Sequence, residues 1–369
     1  MYELTNEQRK CFGLLPVDDA WEKVVVKPSP YDNFITYAYL DGRSVRKVVL
    51  ISKDESKNLR YSEYAIEAML SEDHTMLLPK TSRGKEILFS SSNLLKYTAA
   101  EMALEFDERY LWLFNATSKQ NYYHTWYDET KIPNKDLFKA WVEDWCRETG
   151  EKELAEIEKF ASVGNVHQKF REGDFFRFRI SRKLYGYGRI LLDFAQMRKK
   201  KIPFWDIFMG KPICAAVYHI VTERDDVTPD ELIGLPMLPS CMIMDNVFFY
   251  GEYPIIGNAP LTDAEQNYPV HYGPTISAIE TGTRYQCGKT FIRLDDAKAL
   301  DYRFINLAIG FQLNVRLSAL QKCIEAHSNQ PYWDMSYPSY VDNDLRNPKY
   351  AETLQKVRLQ MGFTSDGKA

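Results

Sequence analysis

The sequence predicts an α+β chain in three parts. A mixed α/β N-terminal domain spans residues 1–164, and a β-rich, barrel-like domain closed by a helix spans 165–327. A C-terminal loop and helix, 328–369, packs back on the core. A few stretches carry that prediction. Phe34 to Leu40 and Val45 to Ile51 flank Asp41-Gly42, a pair suited to the left-handed backbone of a tight turn, so they read as a hairpin. Leu137, Phe138, Trp141, Val142 and Trp145 recur at helical spacing behind Asn134, a good N-cap. Midway along the chain Phe176, Phe178 and Ile180 alternate with Arg177 and Arg179, the period of a half-buried strand. Ser181, Arg182 and Lys183 then reverse the chain into a second strand, Tyr185 to Leu192.

The remaining elements follow in chain order. Thr5 with Gln8 makes a capping box for a short helix ended by Phe12, Leu14 and Leu15. The pattern predicts a helix around Tyr61–Leu70, a strand at Glu86–Phe89, a helix near Ala99–Phe106 and an aromatic strand at Tyr110–Phe114. Gly150 punctuates the long helix, and Leu154, Ile157 and Phe160 continue a helical face to the end of this unit near Val163. After a polar connection, Gly164 to Lys169, comes the pair of strands described above. Gly186 and Gly188 flank Tyr187 in the second of them, where a missing side chain signals a bulge or a close backbone approach. Ile202, Trp205, Phe208 and Met209 read as a short buried helix, and Ile213–Val221 as an apolar strand. Thr228-Pro229-Asp230-Glu231 opens a helix, Val247–Tyr250 is a strand and Phe304–Phe311 a late one. Asn314 caps a helix carrying Val315, Leu317, Leu320 and Ile324. The last helix starts at Asn347-Pro348 and stops at Gly362.

Composition narrows the function classes. Lys and Arg number 47 against 51 Asp and Glu, so net charge favours neither nucleic acid nor a membrane surface. The 24 Tyr, 20 Phe and 7 Trp favour β structure and broad contact surfaces. The six cysteines are scattered without a C-x-x-C pair, the start is polar and acidic, and no apolar run is long enough to span a membrane. A cytoplasmic protein with reduced thiols is expected.

No catalytic motif stands out, and neither a metal site nor a cofactor is expected. The six histidines are isolated. Ser82-Arg83-Gly84-Lys85 is not a phosphate loop, since Glu86 stands where Ser or Thr belongs. Tyr185-Gly186-Tyr187-Gly188 is expected to be followed by a strand rather than a helix, which argues against a dinucleotide fingerprint. Glu55-Ser56-Lys57 behind the Val45–Ile51 strand resembles the end of a metal-dependent nuclease site, with Asp32 or Asp41 as the needed second carboxylate. A solvated loop is the simpler reading. Arg198-Lys199-Lys200-Lys201, with Phe204, Trp205 and Phe208 beside it, either grips phosphates or is a wet turn.

The opposite charge signal is larger. From Asp225 to Thr283 there is no Lys or Arg, while Asp225, Asp226, Asp230, Glu231, Asp245, Glu252, Asp263, Glu265 and Glu280 are acidic. Phe248, Phe249, Tyr250, Tyr253, Tyr268 and Tyr272 are interleaved. Such a surface suits a basic protein partner, steered by charge and anchored by aromatics. Alternatively, the acids cap helices and the tyrosines fill a core. On the first reading the partner-binding residues are Tyr185, Tyr187, Asp245, Tyr250, Glu252, Tyr253, Asp263, Tyr268 and Tyr272.

Gly173-Asp174-Phe175-Phe176 followed by Tyr185-Gly186-Tyr187-Gly188-Arg189-Ile190-Leu191 resembles the opening of the immunity protein 26 family of bacterial polymorphic-toxin systems. Gly251-Glu252-Tyr253-Pro254-Ile255-Ile256-Gly257 through Pro260-Leu261 is similar to that family's second recurring block, and the likeness spans roughly Phe170 to Cys323. The resemblance implies a cytoplasmic antidote that binds a cognate toxin protein and blocks it without chemistry of its own. The basic run Arg198–Lys201 departs from the pattern, and residues 1–163 resemble no family. The alternative is a nucleic-acid-binding or nuclease-like protein with its activity in the N-terminal domain.

Overall fold

The computed structural model describes residues 2–28, 33–54, 59–98, 101–107, 109–206, 208, 210–274, 281–302, 304, 309–335 and 339–364. They form two compact units, Met1–Val166 and His167–Ala369. Helices and antiparallel sheets occur in both, so the chain is α+β.

Unit 1 is built on a sheet of β1 (Glu22–Val25), β2 (Phe34–Asp41), β3 (Ser44–Ser52), β4 (Arg60–Leu70), β5 (Met76–Leu78), β6 (Ile87–Leu88), β7 (Met102–Asp107), β8 (Leu111–Asn115) and β9 (Gln120–His124). Its main order is β1-β2-β3-β4-β7-β8-β9, with β5 and β6 branching from β4. The helices are α1 (Asn6–Cys11), α2 (Ser91–Leu94), α3 (Thr125–Asp128), α4 (Lys135–Arg147) and α5 (Glu151–Ala161). The expected capping box of Thr5 and Gln8 opens α1, and Asn134 caps α4. The hairpin is present with its loop one residue later than expected: Asp41 pairs Ser44 around Gly42-Arg43, and Gly42 carries φ +57°.

One sheet face packs on α1, α4 and α5. Phe106 stacks on Phe138 at 4.3 Å, and Phe12 lies parallel to Trp145 at 5.3 Å. Leu137, placed on that face by its spacing, is instead 47 % exposed. Tyr61–Leu70 and Ala99–Phe106 are not helices. The first is β4; the second is strand from Met102 in β7, and residues 99–100 lie outside the described set. Along most of both strands consecutive residues are buried on either face, so their sequences lack the polar alternation that marks a half-buried strand.

A charged cluster lies inside this unit. Glu63, fully buried, receives Lys47 at 2.6 Å and Arg9 at 3.0 Å, and the Tyr61 hydroxyl donates to it. Arg9 also reaches Glu3 at 2.8 Å, and Lys47 donates to the Leu15 carbonyl at 2.5 Å. The N-terminal segment is thereby tied to β3 and β4. Burial alone would raise the Glu63 carboxyl, but Lys47 and Arg9 outweigh it and hold the group below its ordinary value.

Unit 2 contains β10 (Asp174–Arg179), β11 (Tyr185–Asp193), β12 (Pro212–Thr222), β13 (Cys241–Met244) and β14 (Ile255–Asn258), in the order β13-β12-β11-β10-β14. A second sheet is β15 (Val270–Pro274), β16 (Thr283–Cys287) and β17 (Thr290–Leu294). Its helices are α6 (Phe194–Lys199), α7 (Pro229–Leu232), α8 (Asn246–Phe249), α9 (Leu317–Glu325), α10 (Gln330–Trp333) and α11 (Ala351–Gln360). The expected barrel does not close among the described residues: β13 and β14 end an open sheet. Val247–Phe249 lie in the helical turn α8 with Tyr250 as its cap, not in a strand; Val247 and Phe248 are buried, Phe249 and Tyr250 half-buried. The helix expected at 202–209 is absent from the described residues there, although Trp205 and Phe208 are buried as foreseen. Residues 305–308 of the expected late strand lie outside the described set. Phe304 and Gly310 on either side form single bridges to Tyr272 and Ile243. Helix α9 starts at Leu317 with Arg316 as its cap rather than Asn314. Asn347-Pro348 opens a 3₁₀ turn that leads into α11, with Gly362 at φ +85° just beyond its end.

The Gly-x-Gly of β11 is a packing device. Phe178 pairs Gly186 and Phe176 pairs Gly188 across the strands. A Cβ on Gly186 would lie 2.4 Å from the Phe178 ring, and one on Gly188 would lie 2.3 Å from Phe176 and 2.5 Å from the Ala216 carbonyl oxygen. The predicted bulge is present, as the β11–β12 register shifts between Gly186 and Gly188.

Two predictions follow from this packing and from the buried charges. Gly188→Ala should cost about 1–3 kcal/mol in urea unfolding, since ring and backbone both obstruct the methyl group; a loss below about 0.5 kcal/mol would contradict the packing account. Glu63→Gln leaves buried Lys47 without its carboxylate and Arg9 with Glu3 alone, and should cost about 3–5 kcal/mol at pH 7. The folded Glu63 carboxyl titrates below the unfolded one, so its contribution is complete above about pH 5 and is lost as pH falls through the folded value. The variant should therefore lose less stability than the parent between neutral and acid pH; equal losses would contradict that role.

Candidate partner-binding surface

The residues singled out in the sequence do not form one site. Tyr187 is fully buried, and its hydroxyl donates to the Arg224 carbonyl at 2.7 Å. Tyr253 is stacked on Phe176 at 5.7 Å, and its hydroxyl accepts from the Leu313 N–H. Tyr272 is buried between β16 and the Phe304 bridge, where its hydroxyl accepts from the Leu300 N–H at 2.8 Å. These three rings belong to the core. Tyr268 is half-buried, covers Gly288, and points its hydroxyl toward the Leu191 carbonyl at 3.4 Å. Asp245 precedes α8, where burial pushes its carboxyl up and Lys211 at 3.9 Å counteracts this in part. Tyr250 and Glu252 are half-buried just beyond α8, and Asp263 is exposed at the start of a 3₁₀ turn.

Tyr185 lies at the far end of the β10–β11 hairpin, with Arg177 and Arg179 over its ring at 4.9 and 5.0 Å. Arg177 also reaches Asp225 at 3.1 Å, which joins this hairpin end to the segment between β12 and α7. There Glu223, Asp225, Asp226, Asp230 and Glu231 are all exposed, with Arg224 bound to Asp226 at 3.0 Å and to Glu231 at 2.7 Å. The Arg224 hydrogen bonds pull the Glu231 carboxyl down to about 2. Glu231 also completes the expected capping box of α7 with Thr228. Glu223 and Asp230 have no cationic partner among the described residues. Ile233, directly after α7, is 47 % exposed. Carboxylates thus outnumber guanidiniums around an exposed apolar side chain and a clamped tyrosine. The acidity of this segment was visible in the sequence. Ile233 was not, because a single exposed apolar residue carries no periodic signal.

What the sequence missed is the buried connection between the two motif blocks. The Arg189 guanidinium, fully buried, donates to the Ala259 and Pro260 carbonyls at 2.7 and 2.9 Å, stacks on Phe175 at 3.8 Å and faces Glu265 at 3.4 Å. Asn258 donates to Asp174 at 2.8 Å, and Gln168 donates to the Phe248 and Tyr253 carbonyls, both at 3.0 Å. Neither spacing nor composition distinguishes a buried strand arginine from an exposed one.

The basic run is a solvated turn at the C-terminal end of α6. Arg198 donates to the Gly210 and Phe208 carbonyls, and Arg198 to Lys201 are all exposed. Glu55 and Lys57 of the nuclease-like reading, and Glu280, lie outside the described residues. Among the described residues no cluster of His, Cys, Asp and Glu could hold a metal ion, and no helix is long and apolar enough to cross a membrane.

Residues 171–283 match the model of a protein family described as Immunity protein 26. The matched segment runs from just before β10 through α7, α8, β14 and β15 to the first residue of β16. No curated protein and no solved structure matches the chain.

Arg189→Met keeps the packing on Phe175 and removes the donors to Ala259 and Pro260. It should lower unit 2 stability by about 2–4 kcal/mol, read from chemical unfolding, as buried carbonyls lose their partners. An unchanged midpoint would mean that the link between the two blocks is dispensable.

Proposed function

We propose that this chain is an immunity protein of a bacterial toxin system, and that its second unit binds a cognate toxin domain in the cytoplasm and blocks it by contact. The match over residues 171–283 carries this reading. The way the matched segment spends its residues supports it. The β11 glycines lie under aromatic rings and Arg189 ties β11 to the loop after β14, so the motif builds a rigid scaffold. A rigid scaffold suits an inhibitor, because ordering a surface on binding costs affinity.

The contact surface we favour is the acidic end of unit 2, comprising Tyr185, Glu223, Asp225, Asp226, Asp230, Glu231 and Ile233. Its charge fits a toxin with a basic active face, such as a domain that grips nucleic acid through phosphates. Tyr250, Glu252 and Asp263, with Asp245 and Tyr268 behind them, form the next surface to examine.

The test begins with the genes beside this chain: a large secreted protein with a variable C-terminal domain is expected among them, and that domain is the toxin to use. Co-expression should restore growth to cells poisoned by that domain, and the two purified proteins should form a complex. Absence of both protection and a complex would refute the proposal. Within the complex, Glu223→Lys combined with Asp230→Lys should weaken binding at least about tenfold and flatten its salt dependence, with the melting temperature unchanged. Full affinity in that variant, with loss in Tyr250→Ala, would move the contact to the α8 surface.

A further inference from the structure

The sheet face of unit 1 that turns away from α1, α4 and α5 changes character across its width. Over β2, β3 and the later part of β4 it is apolar, with Ala38, Leu40, Val48, Leu50 and Ile66 beneath Leu77 and Leu94. Toward β9 it becomes polar and aromatic. Ser62 pairs Glu105 and Glu105 pairs Trp112, while Ala103 pairs Phe114 and Phe114 pairs Asn121, so these side chains share one face with Arg60 and Tyr64. Here, beside Leu95 and Thr98, lies a pocket of about 600 Å³ that Ala116 and Lys119 complete. That volume falls within the range of small-molecule sites, about 300–1,000 Å³.

Glu105 and Arg60 in this pocket are not spent on each other. Glu105 accepts from the Tyr64 hydroxyl at 2.7 Å and has no cation partner among the described residues. The Arg60 guanidinium lies over the Phe34 ring at 4.9 Å, with no carboxylate partner among them. Lys119 takes φ +58°, in the left-handed region that non-glycine residues rarely adopt. A carboxylate with remaining acceptor capacity, an arginine without an anion and a flat apolar wall of Phe114 and Leu95 specify the chemistry of an occupant.

We propose that unit 1 binds a small anionic molecule with a planar, hydrogen-bonding ring. The ring lies against Phe114, a ring donor meets Glu105, and the anionic group is held by Arg60 and Lys119. A nucleoside monophosphate and an aromatic carboxylate share this chemistry. Titration calorimetry on the full chain with adenosine monophosphate, guanosine monophosphate, para-aminobenzoate and inorganic phosphate distinguishes them. At least one ring-bearing anion should bind saturably with Kd below about 1 mM, with phosphate at least about tenfold weaker. Nucleotide binding alone assigns the first source, and para-aminobenzoate binding alone assigns the second. Arg60→Gln and Glu105→Gln should each weaken the bound anion about tenfold while the melting temperature holds. The proposal is overturned if no ring-bearing anion binds, if phosphate binds equally well, or if both substitutions leave affinity unchanged.

Discussion

The second unit depends on the seam where the β10 rings lie across the β11 glycines. Phe176 and Phe178 occupy the space that side chains at Gly188 and Gly186 would need, so these strands pair in one register with rings and backbone in direct contact. The same seam sets the position of Arg189, the next residue along β11, whose guanidinium then reaches the loop after β14. Core packing and the polar link between distant segments are therefore one construction. Side chains mounted on it inherit that rigidity.

Unit 1 solves a different problem. Its N-terminal segment is short, and α1 has only six residues, too few to hold by helix propensity. Glu63 inside the sheet provides the hold through Arg9, while Lys47 balances the charge. An ionic cluster of this kind adds little net stability compared with apolar packing, but it accepts only one arrangement of its partners. It fixes where the segment docks.

Much of this was legible in the sequence, for identifiable reasons. The alternation of Phe176, Phe178 and Ile180 with arginines, the capping box at Thr5 and the Asn134 cap are local signals that survived folding, whereas the Asn314 cap did not. Strands β4 and β7 were misread because burial on both faces erases the period that separates strand from helix. The aromatics of the acidic stretch were ambiguous on composition alone. Tyr187, Tyr253 and Tyr272 turn inward while Tyr185 stays near the surface, a division set by tertiary neighbours and not by anything adjacent in the chain. Arg189 and Glu63 were invisible for the same reason.

Arg346 shows where the working module ends. From a segment far beyond residue 283 it donates to the Ser240 carbonyl at 2.7 Å, the Ser240 hydroxyl at 2.9 Å and the Asn267 carbonyl at 2.8 Å, held in place by Asp344 at 2.7 Å. Burial pushes the Asp344 carboxyl up, but the guanidinium beside it prevails and keeps it ionised. A fragment trimmed to the family likeness would leave those acceptors bare and strip β15 of its neighbour strand. The matched segment and the folding unit therefore have different borders, and the tail of this chain is a structural member of the unit it follows.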